Sequence, residues 1–229
     1  MDLISRRQVL YDKKWRVFVR RAKLFRQAPF VDFVFGAGSM ALGNVTEESD
    51  FDVLVGTRTG RIFTARFFCV LLFGLFGWRR KKLMHHEAAS DKICFNHFVT
   101  LSSSKLSPPY NDYWNALYER LVPIYGRRDL LDEFLAKNLE WNNRVQKFGD
   151  DLRHVGSESS FLKKTFEVLF SGFFGDFAEK VLKRLQVLRI ESSLLHDPPG
   201  FKPRIKYSDT ELEFHPIGER SLPADFLYS

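Results

Sequence analysis

Cysteine is scarce in this chain, and no apolar segment is long enough to cross a lipid bilayer. Its two cysteines, Cys69 and Cys94, each lie in an apolar run, so we expect buried free thiols and no disulfide framework. The apolar run at residues 67–78 has twelve residues, whereas a membrane-spanning helix needs about 20. Neither an apolar block nor a small-residue cleavage site follows Arg6 and Arg7, as a signal peptide would require. We therefore expect a cytoplasmic protein without an integral membrane segment.

Charge is abundant, and its positive excess is concentrated near the N-terminus. The formal net charge is +7, and residues 1–28 alone hold nine basic residues against Asp2 and Asp12. Apolar residues recur in this segment at helical spacing, which predicts a helix docked on a core. They are Tyr11, Trp15, Phe18, Ala22 and Phe25. A second face of this helix carries Lys13, Arg16, Arg20 and Lys23. That face is either solvated or contacts the phosphate backbone of RNA, and the basic residues 79–82 favour RNA.

Strand and helix patterns are interleaved over residues 1–146. Apolar runs bounded by turn residues predict strands at 30–35, 50–56, 92–100 and 122–125. A short helix is expected from Ser39, and longer helices are expected at 57–78, 113–121 and 130–146. This order predicts an α+β fold in which a mixed sheet is flanked by helices.

Residues 147–229 form a second region, which begins with a polar linker at 147–158. Six apolar residues at helical spacing predict a helical extension over 161–190. They are Phe166, Phe170, Phe173, Phe177, Val181 and Leu185. Gly172 and Gly175 are candidates for breaking it into two helices. Alternation at 204–207 and 211–214 around a turn predicts a small β-hairpin.

The segment 36–55 carries the chemistry that the sequence makes most visible. Gly38 and Ser39 close an apolar strand, and Asp50 and Asp52 flank a phenylalanine at the start of the next strand. Side chains at i and i+2 of a strand share a face, so the two carboxylates are expected side by side. A divalent cation between them would relieve their repulsion, and a phosphate-bearing substrate commonly accompanies such a cation. The first glycines also match a dinucleotide-binding turn, but the next strand follows too soon for a full helix.

This pattern resembles the nucleotidyltransferase superfamily that includes DNA polymerase beta-like enzymes and minimal nucleotidyltransferases. The resemblance rests on Gly38-Ser39, a spacer of ten residues and then Asp50-Phe51-Asp52, and it covers about residues 30–125. It implies that the Gly-Ser turn positions a nucleoside triphosphate and that the two aspartates hold Mg²⁺ or Mn²⁺. A third carboxylate on a later strand completes the family's metal site. The family transfers a nucleoside monophosphate to a hydroxyl and releases pyrophosphate.

The physical properties of these residues agree with the roles that the resemblance implies. Gly38 has no side chain, so its backbone can approach a phosphate, and the Ser39 hydroxyl and following amides favour an anion. Arg61 and Arg66 on the next helix are candidates for holding the phosphates, and the alternative for both is a solvated face or an ion pair.

The third carboxylate is the point at which this sequence departs from the family. The expected strand carries Asn96 at its centre, and Asp91 has the opposite parity. Asn96 is expected in the site as a neutral ligand, whereas alternation turns His97 away from it. We therefore expect a magnesium-dependent nucleotidyltransferase acting on RNA, protein or a small molecule. The alternatives are an NTP- or RNA-binding module whose catalysis has lapsed and an antitoxin-like protein that binds partners through its C-terminal helices.

Overall fold

The structure, a computed structural model, describes residues 3–81, 89–106, 112–140, 152–196 and 203–216. The described strands are β1 (Val31–Gly36), β2 (Phe51–Thr57), β3 (Ile93–Thr100), β4 (Val122–Gly126), β5 (Pro203–Tyr207) and β6 (Glu211–Pro216). They form one mixed sheet in the order β4-β1-β2-β3-β6-β5, in which only β2 and β3 run parallel. The predicted α+β fold with a mixed sheet flanked by helices is confirmed.

Helices cover both faces of this sheet. They are α1 (Leu3–Ala22), α2 (Gly38–Leu42), α3 (Ile62–Leu75), α4 (Asp112–Glu119), α5 (Arg128–Lys137), α6 (Phe161–Leu169) and α7 (Gly172–Leu195). The core under α1 and α3 contains Phe51, Val53 and Ile93, whereas the core under α4 and α5 contains Phe35 and Leu54. We call these the α3 face and the α4 face. No helix in the described ranges has both the length and the apolar character needed to cross a bilayer.

The N-terminal helix docks as its apolar periodicity predicts. Trp15, Phe18 and Ala22 are buried, and the Phe18 ring stacks on Phe51 of β2 with centroids 4.8 Å apart. The predicted helix at 57–78 is shorter, because it begins only at Ile62 after a turn that contains Gly60. Its outer side remains exposed, and Leu75 has 73% of its surface accessible.

The C-terminal region contributes helices and strands to the same sheet. The predicted break lies before Gly172, which has a φ of +58°, and the predicted hairpin is β5–β6. Strand β6 pairs antiparallel with β3, so the sheet runs through both predicted regions. The boundary at 146/147 lies outside the described residues. Residues 152–158 include Val155, which is buried and donates its N–H to the carbonyl of Ile124, so this part of the predicted linker packs along β4.

The predicted apolar stripe of the C-terminal helices divides at the break between α6 and α7. Phe166 and Phe170 pack on Phe68 of α3, with ring centroids 5.0 and 5.7 Å away. Phe173 and Phe177 instead face solvent, with 81% and 62% of their surfaces accessible. The helical spacing of the six residues thus corresponds to two helices separated by the turn at residues 170–171, and only the part before the turn packs on α3 through these rings.

Candidate metal and phosphate site

Two carboxylates lie together at the start of β2, on the α4 face. Phe51 and Val53 are fully buried on the α3 face, so strand alternation turns Asp52 to the opposite face, as the sequence predicts. Asp50 precedes the strand, and one of its carboxylate oxygens lies within 4.8 Å of an oxygen of Asp52. The Asp50 side chain is 14% accessible. The pair is thus partly shielded from water, which strengthens the repulsion between two ionised groups.

Gly38, the first residue of α2 in the turn that follows strand β1, packs closely against Asp52. Its φ is +60°, and a Cβ atom built on it would lie 2.0 Å from Oδ2 of Asp52. The N–H of Ala37 donates to the backbone carbonyl of Asp52 at 2.9 Å, which joins the turn to β2. Only glycine meets both the left-handed backbone and the contact with the carboxylate. The sequence predicted glycine here for a close approach to phosphate, whereas the structure shows a close approach to Asp52.

Ser39 follows Gly38 at the start of the short helix α2. Its hydroxyl makes no hydrogen bond with any residue in the described part of the chain, and the residue is only partly buried. A hydroxyl without a partner among the described residues, one residue after the glycine that contacts Asp52, suits a ligand that carries both a phosphate and a divalent cation.

Strand β3 brings Cys94 and Asn96 against Asp52. Cys94 pairs in register with Asp52, and Nδ2 of Asn96 donates to Oδ1 of Asp52 at 2.9 Å. The register then shifts, since Val53 pairs with Phe95 and Leu54 with His97, which leaves Asn96 as the extra residue of a β-bulge. Asn96 therefore lies in the site, as predicted, but its amide orients a carboxylate.

The bulge changes the side on which His97 lies. In register with Leu54, it belongs to the α4 face, so the prediction that it points away from Asn96 is wrong. His97 is buried, and its Nε2 lies 3.2 Å from Oε1 of Glu211 on β6. Glu213 completes a second group of possible metal ligands, but Lys206 lies 3.5 Å from both glutamates and already supplies a positive charge.

Cys94 is the site residue that the sequence did not reveal. One donor atom from each of Asp50, Asp52 and Cys94 lies within 4.8 Å of the others, which is a spacing suited to a shared cation. Burial raises the pKa of the Cys94 thiol well above its usual value, and both aspartates raise it further. The thiol is therefore protonated when no cation is bound. Cys94 lies two residues before Asn96, so strand alternation alone could have predicted that both side chains share a face. The β2–β3 register was needed to show that Cys94 lies opposite Asp52.

The present counterion of Asp50 is Arg80. Its guanidinium donates from NH1 to Oδ2 of Asp50 at 2.5 Å. Burial by itself would lower the pKa of Arg80. The negative charges of Asp50 and Asp52 outweigh burial, so the pKa of Arg80 is raised. Arg80 follows α3 in the predicted basic segment 79–82, of which Lys82 lies outside the described residues. A cation from the protein thus neutralises one of the two candidate metal ligands.

Arg61 and Arg66 do not reach this site, so the prediction that they hold its phosphates is wrong. Arg61 is bound to the C-terminal helices, with NH2 2.7 Å from Asp176 and Nε donating to the carbonyl of Phe170. Arg66 donates to Gln186 of α7 and lies over Phe214. Arg66 belongs to α3 and Arg61 directly precedes it, and α3 covers the face of the sheet opposite to Asp52.

The basic face of α1 is exposed as its spacing predicts. Lys13, Arg16, Arg20 and Lys23 are accessible, and none of them forms an ion pair with another described residue. Lys14, by contrast, is buried and reaches the carbonyls of Glu47 and Ser49 beside Asp50. Helix α1 is therefore fixed to the segment that leads into β2.

Comparisons with protein-family models, curated proteins and solved structures find no match to this chain.

Proposed function

We propose that this protein is a divalent-metal-dependent nucleotidyltransferase that moves a nucleoside monophosphate from an NTP to a hydroxyl acceptor. The observation that carries the proposal is the contact of Gly38 with Asp52, beside Asp50 on the same edge. This contact brings the Gly38-Ser39 turn next to the aspartate pair, and these are the two parts of the pattern that resembles the superfamily. The unused Ser39 hydroxyl supplies a donor for the triphosphate. A cytoplasmic location, where NTPs and reduced thiols occur, accords with this function.

In this proposal Asp50 and Asp52 hold Mg²⁺ or Mn²⁺, and Cys94 lies close enough to be a third ligand. Two hard carboxylates fit these cations, whereas a thiol is a softer donor and favours Mn²⁺ over Mg²⁺. The bound metal would neutralise phosphate charge and polarise a phosphoryl oxygen. Asn96 keeps Asp52 oriented through its amide N–H. Arg80, once displaced from Asp50, is available to bind a phosphate oxygen, which guanidinium groups do well.

Transfer of label from each NTP in the presence of Mg²⁺ or Mn²⁺ and total RNA tests the proposal. We expect labelled product with wild-type protein and at least a hundredfold less with Asp50→Asn or Asp52→Asn, of the order seen when charge stabilisation is removed from an active site. Asp132→Asn, an exposed acid on α5, is the matched control and should retain full activity. Equal activity of Asp52→Asn and wild type would contradict the proposed site.

The same site also favours a second function, an NTP- or RNA-binding module whose catalysis has lapsed. The observation behind it is that β3, the strand on which the resemblance implies a third carboxylate, presents Cys94 and Asn96 to Asp52. A neutral thiol or amide holds an activating metal less firmly than a carboxylate does. NTP binding that depends on Asp52, without label transfer to RNA, protein or small-molecule hydroxyls, would identify the binding module and exclude the transferase.

The exposed basic face of α1 favours RNA as the acceptor. Each lost phosphate contact should reduce the slope of log K against log salt by about 0.7 for single-stranded RNA. We expect Arg16→Ala combined with Arg20→Ala to reduce this slope, whereas Lys164→Ala on α6 should leave it unchanged. An unchanged slope in the double variant would exclude α1 as the RNA contact.

A further inference from the structure

A group of arginines lies on the α3 face, away from Asp50 and Asp52. Arg66 of α3 reaches across to α7, where its NH1 donates to Oε1 of Gln186 at 2.6 Å. Gln186 is itself fixed, because its Nε2 donates to the carbonyl of Phe63 at 2.8 Å. The guanidinium lies 4.9 Å from the centre of the Phe214 ring of β6. Three elements therefore hold the Arg66 side chain in one position.

The environment of Arg66 contains further positive charge. Arg189 lies one turn after Gln186 on α7, and Arg79 lies in the segment that bridges to Ile93 of β3. Burial, and then Arg79 and Arg189, lower the pKa of Arg66 to about 10, so it remains a cation at neutral pH. The pKa of Arg79 is also lowered, by burial and by Arg189.

No carboxylate within the described ranges balances this group. The pKa of Arg66 is raised only by the Cys69 thiol, and neither Arg79 nor Arg189 forms an ion pair with a described residue. The Nε atom of Arg66 is buried and has no hydrogen-bond partner in the part of the chain that the structure describes. A guanidinium taken partly out of water normally faces a carboxylate or a phosphate, because its donors and its charge both need a partner. Arg61, which directly precedes the same helix, follows that rule through Asp176.

We propose that Arg66, Arg79 and Arg189 form a binding site for a phosphate group, separate from the Asp50–Asp52 site. Guanidinium groups match the geometry of phosphate oxygens, and a stacked, fixed arginine loses little entropy on binding. Arg79 and Arg80 are consecutive but act on different sites, since the charge of Arg79 lowers the pKa of Arg66 whereas Arg80 binds Asp50. The phosphate belongs either to the backbone of an RNA or to a small phosphorylated molecule. This site stands independently of the proposed transferase function.

Thermal unfolding of the full chain with inorganic phosphate, without divalent cations and at constant ionic strength, tests the site. We expect phosphate to stabilise the wild type beyond chloride, and Arg189→Ala to bind it at least about tenfold more weakly, as expected for loss of a charge-assisted hydrogen bond. Without phosphate, Arg189→Ala should unfold at an equal or higher temperature, because a like charge has been removed. Arg184→Ala removes the same charge from an exposed position of α7 and is the matched control.

Arg79→Ala provides a second variant that lies outside α3 and α7, and it should behave as Arg189→Ala does. Absence of phosphate-specific stabilisation in the wild type, or its retention in both variants, would overturn the site. Asp52→Asn should keep the phosphate effect, which separates this site from the proposed transferase site.

Anisotropy of a labelled single-stranded oligoribonucleotide distinguishes the two sources of the phosphate. Weaker RNA binding in Arg189→Ala, with competition by inorganic phosphate, supports the site and assigns it to an RNA backbone. Unchanged RNA binding together with lost phosphate stabilisation supports the site and assigns it to a small phosphorylated molecule.

Discussion

Replacing Arg80 by glutamine should make the protein bind a divalent cation more tightly. In the present structure the Arg80 guanidinium occupies an oxygen of Asp50, so a metal that uses this carboxylate must displace it. At an effective dielectric constant of 20, two unit charges 4 Å apart interact by about 4 kcal/mol. Arg80 is 37% exposed, so solvent screening reduces the pair to about 1 kcal/mol. That value corresponds to roughly a fivefold change in dissociation constant.

The metal-free and metal-bound proteins should respond to this substitution in opposite ways. Without metal, Arg80→Gln leaves Asp50 and Asp52 without this counterion and should lower the midpoint of thermal unfolding by about 2–4 °C, the shift expected for 1 kcal/mol in a chain of this size. With saturating Mn²⁺ the difference should vanish, because stabilisation by a ligand grows as its dissociation constant falls. If the proposed function holds, the KM for NTP should rise, because Arg80 no longer binds phosphate.

Calorimetric titration of Mn²⁺ and thermal unfolding at graded Mn²⁺ concentrations measure both effects. Arg127→Gln is the control, because Arg127 pairs with Asp129 on the exposed surface and lies far along the chain from Asp50. It should leave metal affinity unchanged. Equal or weaker Mn²⁺ binding by Arg80→Gln would refute the argument that Arg80 competes with a metal for Asp50.

Three further predictions test the site and its surroundings. Gly38→Ala and Gly43→Ala should each lower the free energy of unfolding by about 1–2 kcal/mol, because alanine is strained in a left-handed backbone. Thermal unfolding with Mn²⁺ should separate them: only Gly38→Ala displaces Asp52, so only Gly38→Ala should lose stabilisation by Mn²⁺. Cys94→Asp should increase Mg²⁺ affinity on the order of tenfold in calorimetry, because a third carboxylate suits Mg²⁺ better than a thiol. The same substitution should destabilise the metal-free protein. Unchanged Mg²⁺ affinity would exclude Cys94 as a ligand.

The third concerns Glu211. Burial raises the pKa of this carboxyl, but His97 and Lys206 outweigh burial and hold the pKa below its usual range. Its contribution is present above that value and is lost as the pH falls through its folded pKa. Glu211→Gln should therefore unfold more easily than wild type at neutral pH, and the difference should shrink as the pH falls through the folded pKa of Glu211; a pH-independent difference would contradict this origin.

The strands and the placement of Asp50 and Asp52 could be predicted because they depend on local geometry. Alternation along β2 places Phe51 in the core and Asp52 on the other face, whatever the neighbouring strands do. The docking of α1 follows in the same way from the spacing of Trp15 and Phe18. Alternation misplaced His97, however, because a bulge inserts one residue into β3 and reverses the parity beyond it.

The sequence alone determined that two aspartates reach the same side at the start of β2 and that a glycine turn precedes them, since both follow from neighbours along the chain. Tertiary structure decided which residues surround them. The pairing of β3 with β2 placed Cys94 opposite Asp52, and the packing of α3 against α7 took Arg61 and Arg66 to the far side of the sheet. Strand register and helix packing depend on burial across the whole sheet, which no local spacing specifies.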